Sequence, residues 1–148
     1  RQADMIVDTH PCEAGIAFGA PVVLGTTGAV KAWEAASTAA KFVGVAVREV
    51  KSAFDYMNQN VGSYRTGDAV PVLKRGCVNV ICQNGTPVAG GKVYVRTVKN
   101  ESYPNAAVGG FEAAEDTGKN VELTNAQWKG SADANGVAEM RILTILNA

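Results

Sequence analysis

Sixteen glycines are spread along the 148 residues as punctuation and not clustered as a linker, and the stretches between them are short and rich in β-branched side chains. Glycine serves tight turns and bulges because it reaches positive φ without a Cβ clash. Short alternating apolar runs bounded by such residues build strands. Their repeated spacing predicts an all-β fold, a small β-barrel or β-sandwich of about eight or nine short strands. This length makes one domain with a real hydrophobic core. A hydrophobic fraction of 47% with 19% charged residues argues against disorder over most of the chain.

Residues 1–14 hold one apolar knot (Met5, Ile6, Val7) and Pro11, and are read as an extended N-terminal arm. Residues 15–148 are read as a single β domain. Strands are expected at 18–25, 30–33, 42–50, 69–73, 77–82, 92–98 and 137–146, with 121–123 a short strand or turn. Val78 and Val80 share a face. On 92–98 the charged residues take one face and the valines the other. On 137–146 Ala138, Met140, Ile142, Thr144 and Leu146 line one side. Gly76 divides two strands, Asn84-Gly85 is a tight-turn pair, and residues 133–136 form another turn. Residues 34–40 are Ala-rich and make a helical turn or a loop, and residues 124–128 are ambiguous. The polar stretches 51–63 and 99–118 are expected to project as loops.

The net charge is zero but unevenly spread. Residues 1–40 hold two basic and four acidic side chains, 41–99 nine and three, and 100–148 three and seven. Without a net positive field, non-specific nucleic-acid binding lacks its driving force, so no nucleic-acid partner is expected. The asymmetry suits a protein whose middle meets the ends of its neighbours, unless the charges intermix on folding. No run approaches the roughly 18 apolar residues of a membrane span. The first thirty residues lack the basic start and long apolar run of a secretory leader. Cys12, Cys77 and Cys82 are odd in number, which argues against a disulfide framework and for three reduced, half-buried thiols.

Residues that carry chemistry are sparse. The single histidine, His10, lies in the arm beside Pro11, a poor place to orient an imidazole for Ser-His-Asp or Cys-His catalysis. His10, Cys12, Cys77 and Cys82 make a formal zinc set but lack the close Cys pair typical of such sites. Glycines 85, 90 and 91 do not open a phosphate cradle, and residues 133–136 lack the later Glu of a calcium loop. Glu115 and Asp116 read as a solvated loop pair, not as buried glycosidase carboxylates. The Gly67-Asp68 turn before residues 69–73 is similar to those of lipoyl-like modules, but no modifiable lysine sits at a hairpin tip. No enzyme, metal or cofactor is therefore expected.

The order of turns and strands carries more information than any single motif. The arm leads to Gly15-Ile-Ala-Phe-Gly-Ala-Pro-Val-Val-Leu-Gly, then Lys41-Phe-Val-Gly-Val-Ala-Val-Arg-Glu. Next come Tyr64-Arg-Thr-Gly-Asp-Ala-Val-Pro-Val-Leu-Lys-Arg-Gly, Gly90-Gly-Lys-Val-Tyr-Val-Arg and a β tail. Over residues 15–146 this resembles the structural cement (capsid decoration) proteins of tailed phages. The resemblance implies a small β protein made in the host bacterial cytoplasm and carried on the capsid exterior. Such a protein binds the major capsid protein at junctions between subunits, commonly as a trimer or dimer, and has no catalytic residues. Candidate contacts are Met5, Ile6 and Val7 in the arm, Arg65, Lys74 and Arg75 in the basic middle, and Trp128. Each has a plainer reading, core packing for Trp128 and simple solvation for Lys74 and Arg75. Two other functions compete: an adhesive or carbohydrate-binding β-sandwich, for which the chain is poor in aromatic residues, and an enzyme with a Cys12 nucleophile.

Overall fold

The computed structural model describes residues 5–47 and 63–143. Among them are eleven strands: β1 (Ile6–Pro11), β2 (Ile16–Ala17), β3 (Pro21–Leu24), β4 (Val30–Ala32), β5 (Phe42–Ala46) and β6 (Ser63–Tyr64), then β7 (Ala69–Ile81), β8 (Lys92–Arg96), β9 (Phe111–Glu112), β10 (Asn120–Trp128) and β11 (Val137–Ile142). The fold is all-β, with one 3-10 turn at Ala39–Lys41 as its helical element. Nine strands form one curled sheet in the order β4-β3-β5-β7-β11-β10-β8-β9, with β1 also on β7, while β2 and β6 pair separately. The expected loop at 51–62, the end of the 42–50 strand, and Thr144 and Leu146 fall outside the described residues.

The thirteen residues of β7 are the spine. Its first half pairs antiparallel with β1 and β5, and its second half, from Gly76 to Ile81, pairs with β11. Gly76 does not separate two strands, as expected; it lies inside one. It carries φ +122° at the point where β7 changes partners, a backbone state open to a residue without Cβ.

At each end of β7 the pairings close into a ring. Cys12, directly after β1, bridges in parallel to Val30 of β4, completing β7-β5-β3-β4-β1. Cys82, directly after β7, bridges in parallel to Phe111, completing β7-β11-β10-β8-β9. Curling in this way leaves few open edges.

Pro71 sits inside this central strand, and the rung bond it cannot donate is replaced from a side chain. Its carbonyl accepts from Val47 N–H at 3.0 Å, so its main chain faces β5. The Val47 carbonyl, which a Pro71 N–H would have used, accepts instead from the Tyr64 hydroxyl at 2.6 Å.

Strand alternation divides the apolar side chains between two cores. Cys12, Ile16, Val22, Val30, Ala46, Tyr64, Val70 and Val72 fill the first ring. Their neighbours on the opposite face, Val23, Phe42 and Val45, join Trp33 against the second ring's Val93, Val95, Phe111, Leu123, Trp128, Met140 and Ile142. The first ring is therefore buried on both faces where the second abuts it.

Two expectations are revised. Residues 6–11 do not extend away from the domain but pair along β7, because Ile6 to Pro11 can satisfy their inward peptide groups there. Residues 120–128 form a single strand, with an irregular register between Leu123 and Gln127. On β8 the face that carries the charged residues is covered at Tyr94 and Arg96 and exposed only at Lys92.

Candidate functional site

Two surfaces stand out. The first is the margin made by β1. It is exposed on both faces, since every residue except the half-buried His10 is open. Met5, Ile6 and Val7 show 55%, 40% and 38% of their surface. Ile6 pairs with Arg75 of β7, and Ile142 of β11 pairs with the next residue of β7, Gly76. Lys74 Nζ lies 2.9 Å from Asp8 and ties β1 to β7. Its hydrogen bond and charge hold the Asp8 carboxyl below its ordinary range.

Of the sequence candidates, Met5, Ile6, Val7 and exposed Arg75 come together here, and Lys74 joins them as the mostly covered partner of Asp8. Arg65 lies apart, exposed in the turn where its N–H donates to Asp68 Oδ2 at 2.8 Å. Trp128 is 1% exposed and packed in the larger core, which removes it from the surface set. The indole supplied volume between sheets, not a platform.

The second surface is held from beneath. Arg96 and Glu112 are both fully buried and joined bidentately, Nε and Nη2 reaching the carboxylate at 2.5 and 2.7 Å. Arg96 Nη1 donates to Asp116 at 2.9 Å and to the Val98 carbonyl at 3.2 Å. Gln83 and Asn120 donate to Glu112, and Asn100 donates to Asp116. Gln83 also exchanges hydrogen bonds with the Ala107 main chain. Burial pulls the Arg96 guanidinium down, but its bonds to both carboxylates outweigh this and the net shift is upward. The Asn100 amide and then Arg96 hold Asp116 below the usual carboxylate range.

This network pins residues 97–119 onto β8. The pinned segment presents Val98, Tyr103 and Val108, all 40–45% exposed, with Arg96 5.8 Å from the Tyr103 ring centre. Of the acidic pair expected in a solvated loop, Glu115 is exposed and Asp116 is bound. The signal in the sequence was Arg96, a charge in register with Tyr94 on a strand otherwise filled with valine.

Elsewhere the chemistry is modest. Cys12 and Cys82 donate from sulfur to the carbonyls of Ala14 and Asn84, and burial pushes both thiols up. Among the described residues the three cysteines are free, and no three His, Cys, Asp or Glu side chains gather as a metal site. A shallow cleft of about 200 Å³ contains Lys31 and Glu34, which pair with each other at 3.0 Å. No helix among the described residues is long and apolar enough to cross a membrane.

Comparison with known proteins agrees with this architecture. The family model described as Structural cement protein (E217 gp24/Pam3 gp6) matches residues 1–143. The fold is similar to that of a chain in the solved structure titled "The capsid of Myoviridae Phage XM1", with a TM-score of 0.67 and 17% identity, over 95% of this chain and 84% of that one. No curated protein matches.

Proposed function

The chain belongs to the structural cement protein family of tailed phages, and from that membership we propose that it binds the outside of the capsid between major capsid protein subunits and stabilises the shell. The family match over residues 1–143 carries this reading, because it spans both rings and the whole of β7. The role is non-enzymatic, and the partners are the major capsid protein and further copies of this chain, as a dimer or trimer. The β1 margin with Met5, Ile6, Val7 and Arg75 is the contact surface, and the pinned segment around Tyr103 is a second.

The physical logic is repetition. Each shell offers many equivalent sites, so modest apolar contacts at each one add up to a large mechanical effect. An adhesive or sugar-binding role is less well supported, since Trp33 and Trp128 are both buried and offer no stacking face.

The test is to mix purified protein with undecorated capsids of the source phage and image them by cryo-electron microscopy. Density at defined positions together with increased heat resistance supports the reading. Bare capsids at saturating protein refute it. Arg75→Glu is expected to lower occupancy, and unchanged occupancy removes Arg75 from the contact set.

A further inference from the structure

We propose that β1 is a receptor strand: it holds its partner by accepting an extended segment of the shell subunit as an additional antiparallel strand along its outer edge. This rests on the capsid-binding role above and specifies how that contact is made.

The direction of the peptide groups carries the inference. Antiparallel rungs alternate, so successive residues of a strand present their N–H and C=O to opposite edges. Pro71 spends its carbonyl on Val47 of β5, which places it on the far side from β1. Thr9, opposite Pro71, therefore faces away from β7, and so does Val7, while the inward rungs are made by Asp8 and His10 against Val72 and Val70. The chain just beyond β1 keeps the same phase. Cys12 donates inward to the Asp68 carbonyl at 2.9 Å, and Glu13 donates outward to Val30 at 2.8 Å, across the seam.

That seam closes the edge only at its Cys12 end. From Val7 to Thr9 the outward N–H and C=O groups have no main-chain partner among the described residues. Edge strands are commonly protected by lysines or bulges turned outward. Here the register shifts between Ile6 and Val7, but β1 carries no lysine: its exposed apolar residues are Ile6 and Val7, with Met5 just before them, and the charge of Asp8 is already met by Lys74.

The occupant follows from area and chemistry. One six-residue edge strand offers far less than the roughly 1,200 Å² that a stable free dimer buries, so a second copy in solution is disfavoured. A segment displayed many times on a shell needs no such area per site. The added strand would carry apolar side chains at alternate positions against Val7 and Met5.

Proline scanning on shells tests this. Thr9→Pro removes an outward N–H that has no partner among the described residues and is tolerated at an edge. The expected result is an unchanged melting temperature with at least a tenfold loss of capsid affinity, while Thr9→Val, which keeps the N–H, binds like the parent. A folded Thr9→Pro that decorates shells normally overturns strand addition and leaves the capsid role intact. If the parent itself fails to decorate, the capsid role falls and this inference with it. If Thr9→Pro does not fold, amide exchange on the parent decides. Slowing of the Val7 and Thr9 amides on shells supports the proposal, and unchanged exchange overturns it. Slowing in concentrated protein without shells identifies a second copy as the occupant and also overturns it.

Discussion

Replacing Arg96 by methionine would remove the cation from the most enclosed charge cluster while leaving a side chain of comparable length. Glu112, itself fully buried, would lose both its short bonds to the guanidinium and keep only amide donors from Gln83, Asn84 and Asn120. Asp116 would keep Asn100. Breaking a buried pair from one side typically costs about 3–5 kcal/mol, because an uncompensated charge remains in the interior. In a chain of this size each kcal/mol moves the melting temperature by about 2–4 °C, which gives a drop of about 6–20 °C. Thermal unfolding followed by far-ultraviolet circular dichroism, with urea titration as a check on the slope, measures it. The double variant Arg96→Met, Glu112→Leu removes the stranded charge and is expected to recover much of the loss. A shift under 3 °C for the single change, or a double variant as unstable as the sum of the two single ones, would refute the reasoning.

Other outcomes are as specific. Asp116 has a folded pKa below its ordinary value of 3.8, so its contribution is fully present above that value and is lost as pH falls through the lower, folded one. An acid titration of stability should therefore steepen only below about pH 4, and Asp116→Asn should flatten that limb. Gly44→Ala would drive a methyl into the Leu73 carbonyl and the Val72 side chain where β5 crosses β7, at a cost of about 2–3 kcal/mol seen in the same melts. Among the thiols, Cys77 should react first with a mild aromatic disulfide at neutral pH. Cys82 and then Cys12 should follow slowly, since burial raises both, and all three should react at once in denaturant.

Much of the fold is legible because it rests on period-two alternation and glycine placement. Val30, Val93, Val95, Ala138, Met140 and Ile142 are buried as the pattern dictates. Less legible are features that depend on partners distant in sequence. Gly76 looks like a stop, yet becomes a bend, because β11 takes up the second half of β7 from more than fifty residues away. Trp128 looks like a contact, since nothing local says that it joins the buried cluster to which distant Val23 and Phe42 also belong. Arg96, Glu112 and Asp116 are unremarkable one by one. Their meaning comes from the return of residues 111–116 over β8, which puts two carboxylates on one guanidinium. The β1 edge was half visible: the apolar knot is plain in the sequence, but its docking depends on pairing with residues 69–75 of β7, more than fifty residues away.

A buried ion pair is a poor source of stability compared with apolar packing of the same volume, so the clamp calls for another reason. Its geometry offers one. Asp116, Asn100 and Gln83 bind main chain and side chain of a segment that has few strands of its own; Arg96 on β8 bonds Asp116 and Glu112 directly, Asn100 joins through Asp116 and Gln83 through Glu112. An apolar core would cover β8 equally well but would let that segment slide, because it supplies contact without direction. Directional bonds fix where Val98, Tyr103 and Val108 stand before any partner arrives, which lowers the ordering cost of binding. The hypothesis separates from mere stability in the double variant Arg96→Met, Glu112→Leu. If it melts near the parent temperature yet exchanges its 98–110 amides faster and attaches to shells more weakly, the clamp serves position. If attachment and exchange match the parent, the pair is only a tolerated burial and the preorganised surface must be sought along β1 alone.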